Sequence, residues 1–144
     1  MVLEPEQSSA IERFAAVALA YCTMVESEPG EAMAEMRTFA RLLAALHLSA
    51  LDLPDVWDEN AGDTPRAAVT LPVRGRFANL PLDTYWDVFD PLTVAPGAPV
   101  CNSLSDDLTD IYHDLERGSS FFATGDVAAA AWEWRFHFRV HWGN

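Results

Sequence analysis

Val127-Ala-Ala-Ala-Ala-Trp132-Glu133-Trp134-Arg135-Phe136-His137-Phe138-Arg139-Val140-His141-Trp142 is the run on which the fold turns. Gly125 ends whatever helix comes before it, and Asp126 stands as its N-cap. On a 3.6-residue wheel its apolar positions cover about two thirds of the circumference. They run from Trp134, Phe138 and Trp142 on one side to Trp132, Phe136 and Val140 on the other. A helix apolar on so many sides must pack against several neighbours, so this one is expected at the centre of a helical assembly.

The preceding segment supplies one neighbour. Ser103 caps a helix reaching about Thr124, with Asp106 and Asp107 in its favourable first turn and a stripe of Leu104, Leu108, Ile111, Tyr112, Leu115 and Phe122. Gly118 weakens its middle by about 1 kcal/mol relative to alanine. Two more helices are expected at the other end of the chain. The first opens at the capping box Ser9-x-x-Glu12 and runs to about Glu26, burying Ile11, Phe14, Ala15, Ala18, Leu19, Tyr21, Cys22 and Val25. After the break at Pro29-Gly30, acids at Glu31 and Glu35 suit the start of a second helix that reaches about Leu51. Its arc holds Met33, Met36, Phe39, Leu42, Leu43, Leu46, Ala50 and Leu51, and His47 within it reads as a hydrogen-bonded core residue. The short break makes the two helices antiparallel.

Between Asp52 and Asn102 the helical period disappears, and seven of the nine prolines fall there. Proline removes a backbone donor and fixes φ, which bars long helices. Val69 to Val73 and Arg76-Phe77 read as extended, and Asp83 as the cap of one or two helical turns through Tyr85, Trp86 and Phe89 before Pro91. The expected fold is all-α. A single domain spans residues 1–144: a helical bundle of two antiparallel hairpins, with the long Pro-rich connection packed across it.

Composition sets the functional frame. A chain of 144 residues, half of them hydrophobic and with five tryptophans, has enough apolar material for a real core. Its net charge of −13 opposes nucleic-acid backbones and anionic membranes and suits a basic protein partner, a cation or plain solubility. Cys22 and Cys101 form no CxxC pair, the start of the chain has no basic leader, and no apolar run is long enough for a bilayer. A cytoplasmic location is the expectation.

Three features are candidates for chemistry. Arg135 and Arg139, one turn apart, sit in the apolar arc of the last helix, where a guanidinium must find a carboxylate, reach the surface or meet an anionic ligand. Asp107, Asp114, Asp87 and Asp90 are the available acids. Ion pairing is the simpler reading and an anion site the alternative. The stripe Glu133, His137, His141 has the i, i+4, i+8 spacing of a divalent-metal site, but it opposes the apolar arc and reads more simply as a solvated face. In the run Asp106, Asp107, Asp110 and Asp114, the last three have the i, i+3, i+7 spacing that lets carboxylates point together as in helical magnesium-dependent phosphohydrolases; capping and solvation explain them better, since the two N-terminal helices offer no acids in their core stripes.

Tyr85-Trp86-Asp87-Val88-Phe89-Asp90-Pro91, Ser103-Leu104-Ser105-Asp106-Asp107-Leu108-Thr109-Asp110-Ile111-Tyr112 and Trp132-Glu133-Trp134-Arg135-Phe136 with His141-Trp142-Gly143 together resemble a bacterial family, domain of unknown function five-oh-six-three. The resemblance covers Tyr85 to Gly143 by motif and the N-terminal hairpin by hydrophobic pattern. It implies a bacterial, cytoplasmic, helical protein and brings no activity, catalytic residue or cofactor. It directs attention to Trp86, Asp87, Asp90, Asp110, Trp132, Glu133, Arg135, His141 and Trp142.

The functional expectation is a noncatalytic binding or protein-interaction domain whose acidic surface and aromatic connection meet a protein, a basic one by charge, with no cofactor. The alternative is an enzyme or sensor that holds a small anion on Arg135 and Arg139, or a divalent metal on the Asp, Glu and His residues of the last two helices. A third class, an acidic neutraliser of a basic toxin or nuclease, shares only the charge.

Overall fold

The computed structural model describes residues 2–57, 73, 75–88, 90–95 and 97–143. It is predominantly helical. Helix α1 spans Pro5–Glu26, α2 Ala32–Ala50, α3 Leu104–Ala123 and α4 Val127–His137, which continues into a π-helical turn over Phe138–Trp142. Strands β1, Thr84–Asp87, and β2, Val100–Ser103, form a small antiparallel hairpin. No helix among the described residues is long and apolar enough to cross a membrane.

Helix α1 packs on α2 and on α3, and α3 on α4. Phe14 and Tyr21 of α1, Leu46 of α2, Tyr112 and Leu115 of α3 and Trp134 of α4 meet in one core. Tyr21 donates its hydroxyl to the Leu108 carbonyl (2.8 Å), so the phenol enters the core without leaving a polar group unpaired. Burial pushes its pKa upward. Trp134 is the largest fully buried side chain among the described residues: its Nε1 donates to the Leu115 carbonyl (3.0 Å) and its ring packs on Phe14. A Cβ on Gly118 would stand 2.2 Å from that nitrogen. The glycine that weakens α3 as a helix is therefore the clearance that admits the indole.

The helix boundaries differ from expectation at one end. Helix α1 begins at Pro5, where a missing N–H costs nothing, and the Gln7 side chain accepts from the Glu4 N–H (2.9 Å). The expected box at Ser9 lies inside the helix, where the Ser9 hydroxyl accepts from Arg13 Nη1. Ser103 caps α3 through Asp106 N and Asp126 caps α4 through Ala129 N, both as expected, and Glu31, expected as an acid at the start of α2, is its cap, accepting from Met33 N and Ala34 N. Gly125 takes φ +87°, the left-handed value that suits glycine after a helix. Leu19, Leu51 and His47, expected in the core, are exposed; His47 sets its ring edge-on to Phe138.

The connection holds two surprises. The helical turns expected through Tyr85 and Trp86 are absent, since this stretch is β1, paired so that Trp86 faces Cys101 and Thr84 faces Ser103. Thr, Tyr and Trp favour a pleated strand once a partner strand is available. Asp83 caps a helix, but not the local one. Its carboxylate accepts from the Ser105 hydroxyl (2.6 Å) and backbone N–H (3.1 Å), both at the start of α3, which hold its pKa below the usual carboxylate range.

The second surprise is Arg76. Val73, Arg76 and Phe77 sink into the body, with Arg76 only 8% exposed. Its guanidinium pairs with both oxygens of buried Glu35 (2.8 and 3.0 Å) and donates to the Met24 and Val25 carbonyls at the end of α1 (2.9 and 3.0 Å). Glu35 also accepts from the Gly30 N–H (3.0 Å). One cation thus closes the C-terminus of α1, the break after it and the first turn of α2. Most of the run expected to be extended at Val69 to Val73, together with Phe89, lies outside the described residues.

Candidate functional site

Two places bring candidate residues together. One is the seam between α3 and the end of α4. Glu133, expected on a solvated face, is 1% exposed, because α4 is apolar on so many sides that α3 covers this face as well. Arg117 of α3 meets it through Nε at 3.0 Å. One turn further on, His137 lies half-buried with Nε2 3.4 Å from Glu133 and Nδ1 3.2 Å from Asp114 of α3. Beyond it the π-helical turn, closed by Gly143 N donating to the Phe138 carbonyl (2.8 Å), carries exposed His141. His141 Nδ1 is 2.7 Å from the other Asp114 oxygen, and its Nε2 is 3.9 Å from Asp110 at the rim. Asp114 therefore bridges two imidazoles that the sequence spaces i, i+4.

The other place is the arm formed by β1, β2 and the loop between them. Trp86 is 74% exposed and Leu92 92%, with Val94 fully exposed; Tyr85, Leu82 and Val100 add apolar surface. Residues 77–112 carry six aspartates and no Lys, Arg or His. Tyr85 donates its hydroxyl to Asp107 (2.5 Å), which ties the arm to α3 and raises the phenol's pKa. Asp87 lies 3.5 Å from the Asn102 amide across the hairpin, and Asp90 accepts from the Thr93 hydroxyl in the loop.

The two arginines of the last helix go elsewhere than the expected acids. Arg135 reaches Asp55 (3.3 Å) and the Leu53 carbonyl (2.5 Å), both from the chain just after α2. Neither Asp107, Asp114, Asp87 nor Asp90 is its partner, because this side of α4 faces away from α3. Arg139 is exposed. Both line an open pocket of about 210 Å³ with Asp55, Trp132, Phe136 and Val140. Trp132 stacks on Phe136 (4.9 Å, 5°), and Phe136 and Val140 are exposed, so the arc read as core is partly surface. Trp142 lies half-buried against Phe138.

The acids of α3 do not converge as a magnesium site would require. Asp107 turns to Tyr85, whereas Asp110 and Asp114 turn to His141. Sequence reasoning placed Glu133, His137 and His141 together and missed that Asp114 stands between the two imidazoles. The i+3 and i+7 spacing of Asp110 and Asp114 from Asp107 put them on one face of α3, but only the packing of α4 says which face.

The family model described as Domain of unknown function (DUF5063) matches residues 5–144. The chain belongs to this family. The match includes the N-terminal hairpin, where only hydrophobic pattern had suggested the DUF5063 resemblance, and so takes in Glu35 and Arg76 as well as the α3–α4 seam. No curated protein and no solved structure matches the chain.

Proposed function

We propose that this DUF5063 protein is a noncatalytic interaction module of the bacterial cytoplasm, and that the arm around β1 and β2 is its contact surface for a basic protein. The arm carries the reading: Trp86, Leu92 and Val94 stand in solvent within a stretch of 36 residues, 77–112, that has aspartates and no cation. Isolated exposed apolar residues are ordinary, but several within one short segment suit an interaction site, and aromatic residues are the usual anchors of such sites. The surrounding aspartates complement Lys and Arg on a partner and steer its approach. Among the described residues each strand pairs only with the other, which leaves outer edges on which a partner strand can add. Both thiols are free, as suits a reducing compartment. The anion alternative is opposed by Asp55, whose carboxylate already shares the pocket of Arg135 and Arg139.

A photo-reactive phenylalanine at position 86 or 94 tests this in the source cell, with Leu48, an exposed position on α2, as the control. Adducts with a basic protein from the arm positions alone, weakened by raised salt, are the expected result. Equal adducts from all three positions, or none from the arm, would overturn the reading.

A further inference from the structure

We propose that Asp114, His137 and His141 form a binding site for a divalent first-row transition metal, with zinc the best fit. One donor atom from each residue lies within 4.8 Å of the other two. One Asp114 oxygen stands 3.2 Å from His137 Nδ1, near the separation of neighbouring ligands around an ion that binds each at about 2.0 to 2.2 Å; the other stands 2.7 Å from His141 Nδ1, a contact that widens slightly as an ion enters. Two imidazoles and one carboxylate suit zinc, iron, nickel or copper and not magnesium or calcium, which take oxygen ligands.

The surroundings support the assignment independently of the three ligands. With Nδ1 of His137 on the metal, its Nε2–H points at Glu133, 3.4 Å away. Metal-bound histidines characteristically donate their other nitrogen to a carboxylate, which fixes the tautomer and the ring. Glu133 is buried and is itself held by Arg117, so the orienting group is rigid. The π-helical turn places His141 beside Asp114, and such turns inside helices recur at functional sites. The site also lies at the C-terminal end of the last helix, where the backbone carbonyls attract a cation. His141 is 45% exposed at its side chain and Asp110 borders it, so the ion keeps a position open to water or to a further ligand. The alternative without metal is an ion pair between protonated histidines and Asp114, and the two make opposite predictions on metal addition.

The untagged chain, stripped with a chelator, is titrated with Zn²⁺ by calorimetry and with Co²⁺ by visible absorption. The expected result is one ion per chain, a cobalt d–d spectrum of mixed nitrogen and oxygen ligation, and no response to Mg²⁺. His141→Ala and Asp114→Asn should each weaken Zn²⁺ binding by at least about tenfold, whereas Cys101→Ser should leave it unchanged. His141 is exposed, so its variant decides the matter even where Asp114→Asn disturbs the fold, as circular dichroism would reveal. Absence of binding to the folded wild-type chain, or equally tight binding in His141→Ala, would overturn the proposal.

Discussion

The connection between α2 and α3 contains two neighbouring pieces that reverse the usual rule for side chains. Residues 75–80 bury an arginine, and the arm that follows exposes a tryptophan. The arginine enters because every part of its guanidinium finds an acceptor: two carboxylate oxygens and two helix-terminal carbonyls. The tryptophan stays 74% exposed on a strand whose one partner among the described residues is β2. Side-chain type alone decides neither outcome. What decides is whether the local backbone offers partners, and this separates a piece built for stability from a piece left available for contact.

The sharpest way to break the contrast is at Arg76. Removing one member of a buried ion pair costs about 3 to 5 kcal/mol, because the other charge is left uncompensated in the interior. Arg76→Ala should lose stability of that order in urea unfolding. If stranded Glu35 is the main cause, Glu35→Gln in the same background should recover part of the loss. Recovery of nothing would mean that the two carbonyls of α1, and not Glu35, are what Arg76 serves.

A smaller effect appears on acidification. The hydrogen bonds from Arg76 hold the Glu35 carboxyl below its ordinary value of 4.5, with the Gly30 N–H adding to them. The unfolded chain therefore binds more protons than the folded one in the window below 4.5. The stabilisation is complete above that value and is lost as pH falls through the lower folded-state value. Denaturant midpoints measured from neutral pH down to about pH 3 should fall in the wild-type chain. They should fall less steeply in Arg76→Ala, where the ion pair is already gone.

The reversal also explains how much was legible in the sequence. Helix period and caps revealed the helical fold, down to Ser103 and Asp126 as caps and Gly125 as a stop. They misplaced what only a partner can settle. Asp83 was legible as a cap, but its helix is α3, some twenty positions away in the chain and reached through hairpin pairing. Glu133 read as a residue of a solvated face and Arg135 as one inside the apolar arc. Packing against α3 buried the first, and the chain after α2 took the second. The pairing of Arg76 with Glu35 joins residues 41 positions apart and leaves no periodic trace. At the candidate metal site the histidines were visible from their i, i+4 spacing, and the bridging Asp114 was not.

The smallest effect on stability is expected at Trp86, and it tests the other half of the comparison. An indole that is 74% exposed has little apolar area to lose on truncation. Its cross-strand neighbour Cys101 is also exposed, so no packed layer depends on it. Trp86→Ala should change unfolding free energy by no more than about 0.5 kcal/mol, as for other surface positions. An aromatic anchor at a protein interface is commonly worth 2 kcal/mol or more in binding. The same substitution should therefore leave the fold intact and abolish the adducts formed from position 94. A stability loss near that of Arg76→Ala would instead make the arm part of the core, and the difference between the two halves of the connection would vanish.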